Sequence, residues 1–364
     1  MKLKNIIFYF PNFSEGGVEN TSIKLSNYFT TKNINITFIS FKHPNKKDFI
    51  NNKLIKFKNY RNINVNWFIK NLFCLYILVK ILINSNKNNT VVFALSNLNF
   101  CILICKLLGF KIVSRNSAPI DHFKYDPNFF EYLKYYLKCF LYPLSDLIIS
   151  NSKYSAIKLN KNLAYHTKII SIPNPIYKCQ NKKKKFRNNN LLYVGRLSKE
   201  KGIYQLIDAF KIFIDKNKKF KLNLVGTGGQ KESIKNYILS NELNSSVNLF
   251  DWTNNLNKFY SNSKALILPS YFEGFGNVLT EALSYGLPCI SVKNDGPKEI
   301  LKNGKFGLLV NNNKPKTLAR AIDRLFQNYK LFSFKASQGY KINNKYELKK
   351  IGSLYLKEIN SVLN

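Results

Sequence analysis

Short apolar, β-branched runs alternate with helix-length segments along almost the whole of this 364-residue chain, and that alternation leaves few folds open. In the first half the runs fall at 5–10, 35–40, 90–95, 111–114, 147–150 and 168–172. In the second half they fall at 190–194, 221–225, 247–250, 265–268, 289–292 and 307–310. Runs of this kind, separated by helical stretches, are the pattern of parallel, doubly wound α/β sheets. Two sets imply two such domains, which the chain length comfortably supports. The break is expected at Pro173-Asn-Pro175, where two prolines interrupt regular structure, followed by a solvated run from Gln180 to Lys185. The predicted organisation is an N-terminal domain over 1–174, a second over 175–340, and a C-terminal helix over 341–364 that packs back toward the N-terminal domain. Open α/β sheets bind ligands beyond the carboxyl ends of their strands, so those ends are where chemistry is sought.

The segment from Pro269 to Pro288 is the most informative of those ends. An apolar run ends at Leu268, a Gly274-Phe-Gly276 turn follows, and a helix-like stretch begins inside the segment, with Glu273 and Glu281 eight residues apart. A strand, a glycine turn and a helix N-terminus form a natural anion site. Flanking carboxylates accept hydrogen bonds from hydroxyls. Phosphate at the helix end and hydroxyls on the acids together suggest a nucleotide-sugar. Eight residues on an ideal helix rise about 12 Å, beyond the roughly 5–9.5 Å of glycosidase carboxyl pairs, so an acid–base couple is a poor reading.

A second strand end carries Gly195-Arg-Leu-Ser-Lys-Glu-Lys-Gly202. Arginine stands only at 61, 115, 187, 196, 320 and 324, so lysine supplies almost all of the 57 basic residues and Arg196 at a strand end counts for more than another lysine. Arg196 as a fork and Lys201 as a point charge can clamp a diphosphate; the alternative is that both are solvated surface residues. In the first half, Ser14-Glu-Gly-Gly-Val-Glu19 follows the first strand, and Gly16 and Gly17 there fit an ordinary βα turn as well as a phosphate loop. Gly226-Thr-Gly-Gly229 reads as a structural turn, lacking a full dinucleotide fingerprint. Arg115 and Asn116, at the end of the 111–114 run, are candidates for the acceptor side of a ligand crevice, ahead of His122 in the loop beyond.

Some classes are excluded. There is no Asp-x-Asp, the usual carboxylate pair for a metal-bridged diphosphate, and no Gly-x-x-x-x-Gly-Lys-Ser/Thr loop. No metal and no cofactor are expected, and leaving-group charge falls to Arg196, Lys201 and backbone N–H groups. The cysteines lack zinc-finger spacing, and Cys101 and Cys105 read as buried helix thiols. No signal peptide is read at the start, and the apolar stretch 67–83 is broken by Lys70, Asn71 and Lys80, so it reads as a buried or interfacial helix. A cytoplasmic location is expected. The net charge of +37 has two readings, codon bias in an AT-rich genome and attraction to anionic partners. The aromatic helix at 129–142, with Lys134 and Lys138, either rests on an anionic bilayer or packs within the first domain.

Together these residues resemble the family-4 retaining glycosyltransferases, which have the GT-B fold of two Rossmann-like domains facing a cleft. The resemblance rests on Glu273 to Glu281 with Ala282, Gly286 and Pro288, on the block from Gly195 to Gly202, on the Gly16-Gly17-Val-Glu19 turn, and on Ser171-Ile-Pro-Asn-Pro175. It runs to about residue 310. It implies that Glu281 binds the ribose hydroxyls and Glu273 the donor sugar, and that Phe275, Gly276 and Asn277 offer backbone near the sugar and diphosphate. It further implies that Arg196 and Lys201 clamp the diphosphate and that Gly16 and Gly17 close over the donor. Many family members carry a histidine after a central first-domain strand; this chain has Ser114-Arg-Asn116 there, as in a subset acting on bacterial surface polysaccharides, and no general base is assigned. The expected activity is retaining transfer of a hexose or N-acetylhexosamine from a nucleotide diphosphate sugar to a lipid-linked, lipopolysaccharide or capsule glycan, at the inner face of the cytoplasmic membrane. The alternatives are a basic nucleic-acid-binding protein, against which no recognition motif is visible, and a nucleotide-sugar epimerase of the same fold.

Overall fold

The structure, a computed structural model, describes residues 2–11, 16–41, 49, 52–58, 67–95, 100–117, 120, 129–176, 188–253 and 255–364. Expectations placed on Ser14, Glu15, His122 and the 180–185 run lie outside these residues.

Residues 1–175 together with 346–364 make one compact unit, and 176–345 make the other. The first unit contains β1 (Asn5–Tyr9), α1 (Gly17–Thr30), β2 (Asn35–Ile39), β3 (Ile55–Lys58), α2 (Trp67–Ile83), β4 (Thr90–Ala94), α3 (Phe100–Leu107), β5 (Lys111–Asn116), α4 (Phe129–Leu141), β6 (Leu147–Ser150), α5 (Lys153–Asn160) and β7 (Ile169–Ser171). Its strands are all parallel, in the order β3-β2-β1-β4-β5-β6-β7. Strand side chains alternate between faces. Ile6 and Phe8 therefore meet Leu25 and Phe29 of α1 on one face. Ile7 and Tyr9 meet α2 to α5 on the other, through Leu78, Cys101, Cys139 and Leu159. Cys74, Cys101, Cys105 and Cys139 are free and buried in that second layer. Burial pushes the Cys74 and Cys105 thiols up to about 12, so they are packing groups.

The second unit contains β8 (Asn190–Val194), α6 (Ile203–Ile214), β9 (Lys221–Val225), α7 (Lys231–Ser240), β10 (Val247–Phe250), α8 (Asn257–Asn262), β11 (Ala265–Leu268), α9 (Asn277–Ser284), β12 (Cys289–Val292), α10 (Asp295–Ile300), β13 (Leu308–Val310), α11 (Pro315–Gln327) and α12 (Tyr329–Ile342). Its parallel order is β10-β9-β8-β11-β12-β13. The last helix, α13 (Leu348–Ser361), returns to the first unit. Ile351, Tyr355 and Ile359 join the core over Phe8 and Phe93. The fit is close: a Cβ on Gly352 would lie 2.3 Å from the Tyr28 ring of α1.

Strand order reverses between β1 and β4 in one sheet and between β8 and β11 in the other. Loops leaving the strands on either side of such a reversal diverge to opposite faces and open a crevice between them. The reversal in the second sheet is flanked by the two segments that the motifs single out.

Candidate active site

After β8 the chain runs through Arg196 into a tight turn, Lys199–Lys201, and Gly202 starts α6. Gly202 has φ +68°, and a Cβ there would stand 2.4 Å from the carbonyl oxygen of Pro269. A side chain is thus excluded both by conformation and by contact. The β8 loop is thereby pressed onto the β11 loop, and the Tyr271 N–H donates to the Glu200 carbonyl (3.0 Å) across the join. Two side-chain amides hold the β11 loop from beneath: Asn313 donates to the Pro269 carbonyl (3.1 Å) and Asn294 to that of Ser270 (2.9 Å).

This packing brings Lys201 to Glu273, Nζ to Oε2 at 2.9 Å, with both side chains about one-sixth exposed at 15% and 17%. The pair is held in place yet still reached by solvent. Arg196 lies further out, 59% exposed, with Nη2 3.2 Å from Glu200 Oε1. Burial alone would raise the Glu200 carboxyl. The Ser198 hydroxyl (2.6 Å), its own backbone amide, and the charges of Arg196 and Lys201 outweigh that and hold it below its ordinary value. Beneath the loop the buried Tyr193 hydroxyl donates to the Arg196 carbonyl (2.8 Å). Burial, then the charges of Glu273 and Glu200, push that phenol well up, so it stays a neutral donor.

Gly276, at φ +92°, turns the chain into α9. Phe275 is only 2% exposed, with its ring in the core, and its backbone packs against Gly296. Asn277 opens the helix, where first-turn N–H groups lack intrahelical acceptors and favour an anion. Glu281 follows one turn on. Tyr260 of α8, itself 2% exposed, donates its hydroxyl to Glu281 Oε2 at 2.7 Å and stacks on Tyr285 (centroids 5.4 Å apart). Burial, then Glu281, raise the Tyr260 phenol well above its ordinary value and keep its proton on. One carboxylate oxygen is therefore fixed by the protein, which orients the other.

The first unit treats its candidates differently. Gly16 and Gly17 lie beyond β1, beside the reversal of strand order, with Gly16 fully extended (φ −176°) and the Glu19 carboxylate folded back against it. Arg115 on β5 is 1% exposed. Its Nε donates to the Tyr355 hydroxyl (3.2 Å), Nη1 to Ser117 Oγ (2.7 Å) and Nη2 to Asn174 Oδ1. Arg115 was expected on the acceptor side; in the fold each guanidinium nitrogen donates to a protein acceptor, and the side chain ties β5 to α13 and to the 172–175 segment. Asn116 is likewise buried, accepting from Lys138 Nζ (2.7 Å) and 3.5 Å from Ser150 Oγ. Lys138 is pulled down to about 8 by burial, partly opposed by Cys139, and lies 5.0 Å from the Tyr142 ring centroid.

With this geometry in view, comparison with known proteins is decisive for the family. The family described as Glycosyl transferases group 1 matches residues 178–341. An uncharacterized glycosyltransferase of Methanocaldococcus jannaschii, MJ1059, is 30% identical over 291 residues, 72% of this chain and 70% of that protein. The chain belongs to the group 1 glycosyl transferases. The capsular polysaccharide biosynthesis glycosyltransferase CapM of Staphylococcus aureus is 32% identical over 193 residues, half of each chain. The match thus spans about half the length of several curated relatives, CapM among them. Anabaena Alr3699/HepE, solved in complex with UDP-glucose, superposes over 98% of this chain and 99% of its own with a TM-score of 0.81 at 18% identity, which speaks to the fold. The fold is GT-B, as the motifs implied, built on two doubly wound parallel sheets.

For this family member the second unit brings Arg196, Lys201, Glu273, Gly276, Asn277 and Glu281 to one end of one sheet. Gly16, Gly17, Arg115 and Asn116 belong to the other unit. Sequence reasoning missed Tyr260, Glu200, Asn294 and Asn313. Glu200 was within reach, since it lies inside the Gly195–Gly202 block. The other three sit in stretches without any motif. Gly226-Thr-Gly-Gly229 is structural, as read: Leu197 N–H donates to the Thr227 carbonyl (2.8 Å), so the turn props the β8 loop.

Proposed function

We propose that this chain transfers a hexosyl or N-acetylhexosaminyl group from a nucleoside diphosphate sugar to a glycan or lipid-linked acceptor, with retention at the anomeric carbon. The observation that carries the proposal is the Lys201–Glu273 pair beside the α9 N-terminus and Glu281, all at the strand-order reversal of the second sheet. That arrangement offers cation and backbone donors for a diphosphate and carboxylates for hydroxyls on either side of it.

In this reading Glu281 accepts hydrogen bonds from the ribose hydroxyls and Glu273 from the sugar, while Lys201, Arg196 and the α9 N–H groups face the diphosphate. Lys201 and Glu273 neutralise one another, so neither is left as an isolated partly buried charge. As the bond from C1 to the diphosphate oxygen breaks, its electron pair leaves with the diphosphate, where Lys201 stabilises the growing charge. The acceptor hydroxyl bonds to C1 on the face just vacated, and its proton passes to the departing diphosphate oxygen. This route asks for no protein base and no metal. CapM acts in capsular polysaccharide biosynthesis by name. A Campylobacter jejuni relative, 28% identical over 64% of this chain, is named for transfer to a diphospho-undecaprenol acceptor. Both support a surface-glycan or lipid-linked acceptor.

The test is to incubate the full chain with a panel of nucleoside diphosphate sugars and a diphospho-polyprenol acceptor, and to read the product's anomeric configuration by NMR. Transfer with the donor's configuration kept supports the proposal. An inverted product contradicts retention. Conversion of the donor without any acceptor would instead identify an epimerase.

A further inference from the structure

Exposed large apolar side chains among the described residues are concentrated on one layer of the first unit. Helices α2, α3 and α4 lie side by side over one face of the first sheet. Their buried faces hold Leu78, Cys101 and Cys139. Their outer faces present Leu72 and Tyr76 of α2, Leu107 of α3 (85% exposed), and Phe129 (74%), Phe130 (68%) and Tyr136 of α4. The opposite face of the same sheet, covered by α1 and α13, contributes Leu354 alone to this class among the described residues. An apolar surface of this kind needs a partner.

The charges on the layer say which. Lysines stand at 70 and 80, at 134 on α4, and at 153 and 158 on the adjoining α5, while Lys106 of α3 is paired with Asp146 (2.8 Å). The only acid on these four helices is Glu131, and it is already paired with Lys134. Lys80 lies 4.7 Å from the Tyr76 ring centroid, an arrangement in which the aromatic enters an apolar phase while the ammonium stays at its polar edge. Among the described residues no helix is long and apolar enough to cross a membrane. Aromatic and leucine side chains with flanking lysines and almost no acid are the chemistry of a surface that lies on an anionic bilayer.

We propose that the outer face of α2, α3 and α4 is the membrane-docking surface of this protein, and that its partner is an anionic lipid bilayer. The inference deepens the lipid-linked acceptor in the proposed function, because it says which face of the first unit meets the lipid. It also accounts for both sequence readings of α4. The helix packs into the first unit through Cys139 and Lys138, and it turns Phe129, Phe130, Leu133 and Tyr136 outward. Each lysine held near the anionic surface adds roughly a fivefold factor in affinity, which salt screens away.

The test is flotation of the full chain with vesicles of phosphatidylglycerol and phosphatidylethanolamine, alongside pure phosphatidylcholine. The wild type is expected to float with the anionic vesicles at moderate salt and to dissociate as salt rises. The triple variant Phe129→Ser, Phe130→Ser, Tyr136→Ser should lose at least tenfold in vesicle affinity. A control altering equally exposed apolar residues of the second unit, Leu331→Ser with Phe334→Ser, should not. Equal flotation of the triple variant and wild type would overturn the proposal. So would equal binding to phosphatidylcholine, or a lipid-free dimer that the triple variant converts to monomer, which would make this face an interface between copies. Donor binding is read separately by thermal shift with UDP-glucose and UDP-N-acetylglucosamine. Vesicle binding without donor binding would leave this surface standing and sink the donor reading.

Discussion

The carboxyl ends of the two sheets carry similar side chains and spend them differently. At β8 and β11, Lys201, Glu273 and Glu281 are each oriented by a protein partner and remain partly exposed. At the end of β5, Arg115 is sealed against Tyr355 of α13 and Asn174, and Asn116 against Lys138 of α4. The difference follows from strand order. β8 and β11 flank the reversal in their sheet, where diverging loops leave a crevice. β5 lies one strand beyond the β1/β4 reversal in the other. Of the basic residues at these strand ends, those of the second sheet are left reachable and Arg115 is not.

This contrast breaks most visibly if turnover and stability fail to separate. Lys201→Ala should lower kcat by about 10²–10³-fold through lost stabilisation of the leaving diphosphate, with thermal unfolding little changed; a variant that unfolds early but turns over normally would make Lys201 structural. Arg115→Ala should do the reverse. Stranding the Tyr355 hydroxyl, Ser117 and Asn174 should cost about 3 kcal/mol of unfolding free energy in urea titrations, while donor affinity is retained. Loss of donor or acceptor binding at unchanged stability would return Arg115 to the ligand site. Tyr260→Phe sharpens the comparison within the second unit. It removes one hydrogen bond to a carboxylate, so donor Kd should rise about tenfold with kcat at saturating donor unaltered. An unchanged Kd would mean that Glu281 is oriented by something else.

A pH-dependent effect concerns Lys138. Its folded-state value of about 8 lies below the ordinary 10.5 because burial disfavours the ammonium. Between those values the unfolded chain holds the extra proton, so stability should rise with pH across that window. Lys138→Met should flatten this part of the profile relative to wild type. The same slope in both proteins would show that the group is ionised normally in the fold.

What was legible in the sequence is what short-range pattern encodes. The apolar runs located every strand but β3. That strand is Ile-Lys-Phe-Lys, four residues long, and its lysines face outward on the edge of the sheet, so it offers little apolar signal. Glu273, Glu281 and Lys201 were legible because each lies within a few residues of a glycine turn that fixes its local geometry. The rest depends on contacts remote in sequence. Tyr260 reaches Glu281 from 21 residues away, on a helix with no motif. Arg115 is consumed by Tyr355, 240 residues on. Nothing near β5 announces that partner, because it arrives only when the C-terminal helix returns to the first unit.

The central claim is that the β8–β11 end of the second sheet is a donor site with Glu281 as its ribose contact. Calorimetric titration of UDP-glucose and UDP-N-acetylglucosamine into the wild type and into Glu281→Ala tests it most directly. The account predicts that the wild type binds at least one of these donors and that the variant binds it at least tenfold more weakly with its fold intact. Equal affinity in the two proteins would contradict it.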